Sequence, residues 1–161
     1  MGKIAKTNAA RLLDRAGISY ELIPYNFDPD DLAATHVAEE LGEDIASVFK
    51  TLVLTAGQAG LIVCVVPGDA EVDLKKAASA AGVKKVEMLH MRDLPAATGY
   101  IRGGCSPVGM KKALPTYFHT SVLGQSHIYV SAGIRGLQMR VRPDDIISYT
   151  GATVADIIKE E

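Results

Sequence analysis

The chain has 161 residues, 48% of them hydrophobic and 22% charged, with a formal net charge of −2. That length suits one domain of about 100 to 200 residues, and the composition excludes a disordered chain. The longest apolar run, Leu61–Val66, is far below the roughly 18 residues of a membrane-spanning helix, and the polar start from Met1 to Thr7 lacks the apolar stretch of a secretory signal. A cytoplasmic protein with no membrane association is therefore expected.

In chain order, the first element reads as a helix from Thr7 to Ala16, with Leu12 and Leu13 on its apolar face and Gly17 ending it. A strand follows over Ile18–Ile23, and Asp28-Pro29-Asp30-Asp31 breaks the chain. Thr35 is placed to cap a helix carrying Val37, Ala38 and Leu41, which Gly42 stops. Val48–Leu54 and Leu61–Val66 read as strands, joined across Ala56–Gly60 as a hairpin. Asp73 caps a helix over Leu74–Ala81 that ends at Gly82, before a short strand at Val83–Met88. Beyond the glycine-rich stretch Gly99–Gly109, Thr116–His119 and His127–Ser131 read as strands. Leu137–Arg142 alternates apolar with polar, which predicts a strand with one wet face. Pro143-Asp144-Asp145 opens a final helical region, with Val154, Ile157 and Ile158 as its apolar contacts.

About eight strands interleaved with four or five short helices predict an α+β fold on a mixed sheet rather than a βαβ succession. No G-x-G-x-x-G or G-x-x-x-x-G-K-[ST] spacing is present among Gly99, Gly103, Gly104 and Gly109. The small net charge conceals a segregation. Residues 84–142 carry nine Lys and Arg against two Asp and Glu, while the flanking segments are acidic. Lys84, Lys85, Arg102, Lys111, Lys112, Arg135, Arg140 and Arg142 form a polyanion surface only if folding gathers them.

Lys50 is the most informative residue, because it shares a strand face with Val48, Leu52 and Leu54. A lysine there pairs with an acid, emerges at a sheet end, awaits an anionic or hydroxyl-rich ligand, or snorkels over the core. Gly103-Gly104-Cys105-Ser106-Pro107 is a second candidate, since adjacent glycines let a backbone approach a ligand, although a tight connection needs the same residues. Ser131-Ala132-Gly133-Ile134-Arg135-Gly136 reads as a hairpin tip at the sheet rim that brings Ser131 near Arg135. Tyr25 lies at a strand end, where a tyrosine lines a pocket or closes a core edge. Cys105 has no histidine that can be placed beside it as a base, and His36, His90, His119 and His127 show no nucleophile constellation. With Cys64 in the most hydrophobic strand, the two cysteines make neither a disulfide framework nor a metal quartet, and no metal or other cofactor is expected.

Taken together, Val48-Phe49-Lys50-Thr51-Leu52, Val72-Asp73-Leu74-Lys75-Lys76, Lys84-Lys85-Val86-Glu87-Met88, Gly99-Tyr100, Gly103-Gly104-Cys105-Ser106-Pro107, Lys111-Lys112 and Tyr129-Val130-Ser131-Ala132-Gly133 resemble the YbaK-type Cys-tRNA(Pro) deacylases. The same order holds over nearly the whole chain, and the wider group includes the editing insertion of bacterial prolyl-tRNA synthetases. The resemblance implies a single editing domain with a mixed, partly barrelled sheet surrounded by short helices and a pocket beside the lysine strand. It implies removal of cysteine from Cys-tRNA(Pro), and from Cys-tRNA(Cys), in transient complex with prolyl-tRNA synthetase.

Carried over by position, Lys50 matches the family's required lysine. Gly103, Gly104, Ser106 and Pro107 match the pocket loop, with Cys105 inside it; Ser131 and Gly133 match the rim turn, and Tyr25 a tyrosine near the mouth. Cys105 stands where an aliphatic residue is the rule, and Ala132 where glycine is common. The implied mechanism uses no protein nucleophile: the substrate thiol attacks its own ester, giving a cyclic thioester and free tRNA. Lys50 then lies near the ribose or phosphate, and the loop amides near the oxyanion. Two other readings stand beside this one: water-driven deacylation of Ala-tRNA(Pro) or another small aminoacyl-tRNA, and a non-catalytic synthetase- or tRNA-binding module.

Overall fold

A computed structural model describes residues 5–160. Helix α1, Asn8–Arg15, begins where the Thr7 side chain accepts from the Ala10 N–H, and leads to strand β1, Tyr20–Pro24. Helix α2, Ala34–Leu41, starts earlier than Thr35: the Ala33 carbonyl accepts from the His36 and Val37 N–H groups, so Thr35 lies inside the first turn and caps nothing. Strands β2, Phe49–Thr55, and β3, Leu61–Pro67, form the expected antiparallel hairpin, which closes through a short 3-10 turn. Helix α3, Leu74–Ala81, has the expected bounds because the Asp73 carboxylate accepts from the Lys75 and Lys76 N–H groups, both at 3.0 Å.

The strand expected over Val83–Met88 contracts to β4, Glu87–Met88, and a short helix α4, Leu94–Thr98, precedes the glycine-rich stretch. Strands β5, Thr116–His119, β6, Ile128–Ser131, and β7, Leu137–Val141, follow. The final helix α5, Pro143–Thr150, is shorter than expected, because Gly151 reverses the chain in the left-handed region. Val154 therefore lies on a last strand, β8, Thr153–Ala155, rather than on a helix.

The architecture is mixed α+β, with strands divided between two sheets ordered β1-β7-β6 and β4-β2-β3-β5-β8. One parallel bridge, Val48 to Tyr129, ties β6 to the start of β2. The main core draws on both sheets, with Phe49, Val53 and Val65 packing into the same cluster as Phe118, Ile128 and Met139. The even-numbered side chains of the hairpin, Leu54, Ile62 and Cys64, pack instead against Ala77 and Ala78 of α3. A third cluster seats Val37 and Ala38 of α2 on Val48 and Tyr129.

The wet face expected of β7 is a correction, since β7 is the middle strand of its sheet and Ile23 beside it belongs to the α2 cluster. Gln138 is 5% exposed there, and Arg140 is half-buried.

Gly68, just past β3, fixes how closely α2 approaches the hairpin. A Cβ at Gly68 would lie 2.5 Å from the Ala34 Cβ and 2.8 Å from the Ile45 Cδ1. Gly68→Ala is expected to destabilise the protein by about 1–3 kcal/mol, the usual range for overpacking, measured by urea denaturation.

His119 closes β5 by accepting from the Ile157 N–H at Nδ1, 3.3 Å away. Burial lowers its pKa below the usual 6.5, with Asp156 opposing the shift. The unfolded state then binds more protons in the window below 6.5, so stability present above that value falls as the pH drops toward the folded pKa. His119→Asn keeps an acceptor near the Nδ1 position but does not titrate, and it should lose less stability than the wild type between pH 7 and pH 5.

Candidate active site

The edge of β2 away from β3 is shared by two short neighbours. β6 meets it at Val48, and β4 pairs with it at Leu54 and Thr55. Between these points the sheet splits, and a cavity of about 330 Å³ occupies the gap. The split also exposes backbone. Val48 C=O accepts from the Gly68 N–H beyond the end of β3, and Val53 C=O accepts from the Leu89 N–H beyond β4. Antiparallel bonding alternates, so Phe49, Thr51 and Val53 turn their peptide groups toward the gap.

Lys50, Gly103, Cys105 and Ser131 all line this cavity, so three separate segments converge on one hollow. Lys50 is half-buried; burial lowers its pKa below the ordinary lysine value, and the Glu71 and Asp69 charges partly offset this. Among the described residues no carboxylate lies within ion-pair distance of its ammonium nitrogen, so Glu71 and Asp69 act on it from a distance. Ser131, 7% exposed, accepts from the Gly133 N–H through its Oγ at 3.1 Å, which leaves the hydroxyl proton free to donate.

The glycine loop is held against the hairpin between β6 and β7. A Cβ at Gly104 would lie 3.2 Å from backbone atoms of Ile134 and Arg135, and Arg135 Nε donates to the Arg102 carbonyl at 2.9 Å. Tyr100 locks the far side: its hydroxyl donates to the Val108 carbonyl, and its ring lies against Gly133. Gly104, Ser106 and Pro107 are buried behind the cavity wall rather than on it, and Ser106 Oγ accepts from the Val108 N–H. The Gly104 N–H is committed to Ile101 C=O, whereas the N–H groups of Gly103 and Cys105 have no partner among the described residues.

Tyr25 and Gly133 stand apart from the cavity lining. The Tyr25 N–H donates to the Gly136 carbonyl at 3.0 Å, and its side chain packs against the α2 cluster.

Two lining residues went unremarked as site residues in the sequence. Thr51 Oγ1 and Gln138 Oε1 are buried and have no hydrogen-bond partner among the described residues. Gln138 sits at a polar position of an alternating strand, and only knowing which strands flank β7 separates a cavity face from a solvated one.

Cys105 is 8% exposed, and burial pushes its thiol up to about 12, so the thiolate needed of a nucleophile is absent at neutral pH. Among the described residues, no group of three or more His, Cys, Asp and Glu could hold a metal ion. Of the basic segment, Arg102 lines the cavity with Arg135 bonded beside it, while Lys85 pairs with Glu87 and Arg140 with Glu21. A second hollow, lined by Pro67, Glu71, His119 and Lys159 among others, lies past the C-terminal end of β3 and contains none of these loops.

Residues 29–149 match the aminoacyl-tRNA editing domain family, a span that contains every residue lining the first cavity. An Enterococcus faecalis protein with the provisional name Cys-tRNA(Pro)/Cys-tRNA(Cys) deacylase EbsC is 48% identical over 156 residues, 97% of this chain and 95% of the relative. A crystal structure provisionally described as a trans-editing enzyme for prolyl tRNA synthetase superposes with a TM-score of 0.83 at 25% identity, covering 97% of this chain and 100% of the other. That of a hypothetical protein does so with a TM-score of 0.83 at 23% identity, covering 92% and 97% of the two chains, a likeness of fold. With the lysine strand, the glycine loop and the rim hairpin all inside the matched span, this chain belongs to the aminoacyl-tRNA editing domain family.

Proposed function

We propose that this chain is a single-domain, cytoplasmic deacylase that edits in trans, removing cysteine from mischarged Cys-tRNA(Pro) and acting also on Cys-tRNA(Cys). The observation that carries this reading is the convergence of Lys50, Gly103, Cys105 and Ser131 on one cavity of about 330 Å³. The name of the relative that is 48% identical over nearly the full length supports the choice of substrate.

The chemistry follows from what the cavity supplies. Its one thiol is held protonated by burial, so the substrate's own thiol is the reasonable nucleophile. The cysteinyl sulfur attacks the ester carbonyl carbon and forms a C–S bond. The ester C–O bond breaks, the thiol proton passes to the departing ribose oxygen, and a cyclic thioester leaves with free tRNA. Holding the sulfur near the carbonyl supplies the effective concentration that makes such a ring closure fast. In this reading the unpartnered N–H groups of Gly103 and Cys105, with the Ser131 hydroxyl, receive the developing oxyanion. Lys50 meets the terminal ribose or its phosphate, which is why an incompletely compensated ammonium at the mouth is useful. Arg102 and Arg135 extend that cationic edge toward the acceptor end. A cationic mouth on a net acidic chain suits a helper that acts in transient complex with prolyl-tRNA synthetase, which then supplies most of the tRNA affinity.

The test is deacylation of Cys-tRNA(Pro) beside Ala-tRNA(Pro) by the wild type, Lys50→Ala and Cys105→Ala. The wild type should release cysteine and spare alanine. Lys50→Ala should be slower by on the order of 100-fold, the scale for losing one electrostatic contact in a closed site, with its circular dichroism unchanged. Cys105→Ala should retain turnover within a few-fold, because its thiol takes no covalent part. Release of alanine instead would move the chain to water-driven editing, and release of neither would leave a binding module.

A further inference from the structure

Gln138 is 95% buried, lines the cavity, and leaves its side-chain carbonyl oxygen without a partner. It stands in the middle strand of its sheet, opposite Ser131 on one side and Ile23 on the other. Its neighbours Leu137 and Met139 point the other way, into the main core. An amide carbonyl in such a place is costly unless something donates to it. Thr51 Oγ1, also buried and unpartnered, lines the same cavity from β2. Among the described residues no carboxylate lines the cavity, and its charged lining residues are Lys50 and Arg102.

Resting on the deacylase reading, we infer that Gln138 Oε1, together with Thr51 Oγ1 of the same cavity lining, accepts hydrogen bonds from the α-amino group of the aminoacyl ester, so that the site selects esters whose α-amino group is free. Of the donors on an aminoacyl ester, the ribose hydroxyls stay at the cationic mouth by Lys50. The thiol is a weak donor and is engaged at the carbonyl carbon. The amino group remains, and it carries several N–H bonds to share between two acceptors. A neutral amide suits it here, since it accepts from an amine or an ammonium without the cost of burying a further charge. The same contact disfavours a peptidyl or N-acylated ester, which offers one N–H and brings an acyl group against the Gln138 side of the cavity.

The experiment uses stable 3′-amide analogues of the aminoacyl end: cysteinyl-adenosine and its 3-mercaptopropionyl counterpart, which lacks only the amino group. Each is titrated calorimetrically into the wild type, Gln138→Leu and Gln138→Glu, with thermal melts confirming that all three fold. The wild type should prefer the amino-bearing analogue by about tenfold, the scale of one good hydrogen bond to a charged group. Gln138→Leu should lower that ratio to near one, and Gln138→Glu, which keeps the acceptor, should restore it. A ratio near one in the wild type, a ratio unchanged in Gln138→Leu, or no binding of either analogue overturns the inference. If Cys-tRNA(Pro) is deacylated while the ratio is near one, the amino-group contact alone is wrong. If the ratio behaves as expected and Cys-tRNA(Pro) is untouched, the deacylase reading fails and the contact stands.

Discussion

A β-strand edge needs partners for its peptide groups, and β2 is given two partial ones instead of one complete one. β6 holds it at Val48 and β4 at Leu54 and Thr55, which leaves the stretch between them open. The rest of the molecule is arranged around that gap. The hairpin with β3 pairs the other edge of β2 along its whole length and anchors it in two hydrophobic clusters at once, so the strand is held although this edge is open. Helix α2 covers one side of the gap, positioned by Gly68, and the glycine loop covers another, pinned to the rim hairpin by Gly104, Arg135 and Tyr100. The site is thus a defect in sheet pairing that the fold preserves, and its polar equipment is largely backbone.

This explains why the cavity lacks an activated nucleophile of its own. Lys50 offers a half-buried charge, Ser131 a free hydroxyl proton, and the glycine loop two N–H groups. Such a set stabilises charge and fixes orientation. It suits a substrate that brings its own reacting group, and it ties amino-acid selectivity to the chemistry of the side chain removed as much as to the shape of the wall. Cys105, buried and protonated, is part of that wall.

Elements governed by local rules were legible in the sequence. The Asp73 cap and Gly82 stop delimit α3 to the residue, and the β2–β3 hairpin follows from two apolar runs around a glycine-bearing loop. Lys50 stood out because a charge among apolar strand residues has few explanations, and the ordered motif set identified the family. What failed depended on tertiary neighbours. Thr35 was a plausible cap until the Ala33 carbonyl took the first helical bonds, and Val154 fell to a parallel pairing with β5 that no local pattern encodes. Gln138 was read as solvated because alternation reveals two faces of a strand but not what covers each. Tyr25 was placed near the mouth by position, while its backbone bond to Gly136 and its packing under α2 keep it off the cavity lining.

Amide chemical-shift mapping shows whether the opened edge of β2 is where the aminoacyl end binds. A stable 3′-amide analogue of cysteinyl-adenosine is titrated into isotope-labelled protein and the backbone amides are followed. The largest shifts are expected to fall together on Phe49, Thr51, Gly103, Cys105 and Ser131. Shifts centred on the second hollow around Glu71, His119 and Lys159, with the β2 edge unmoved, would contradict it.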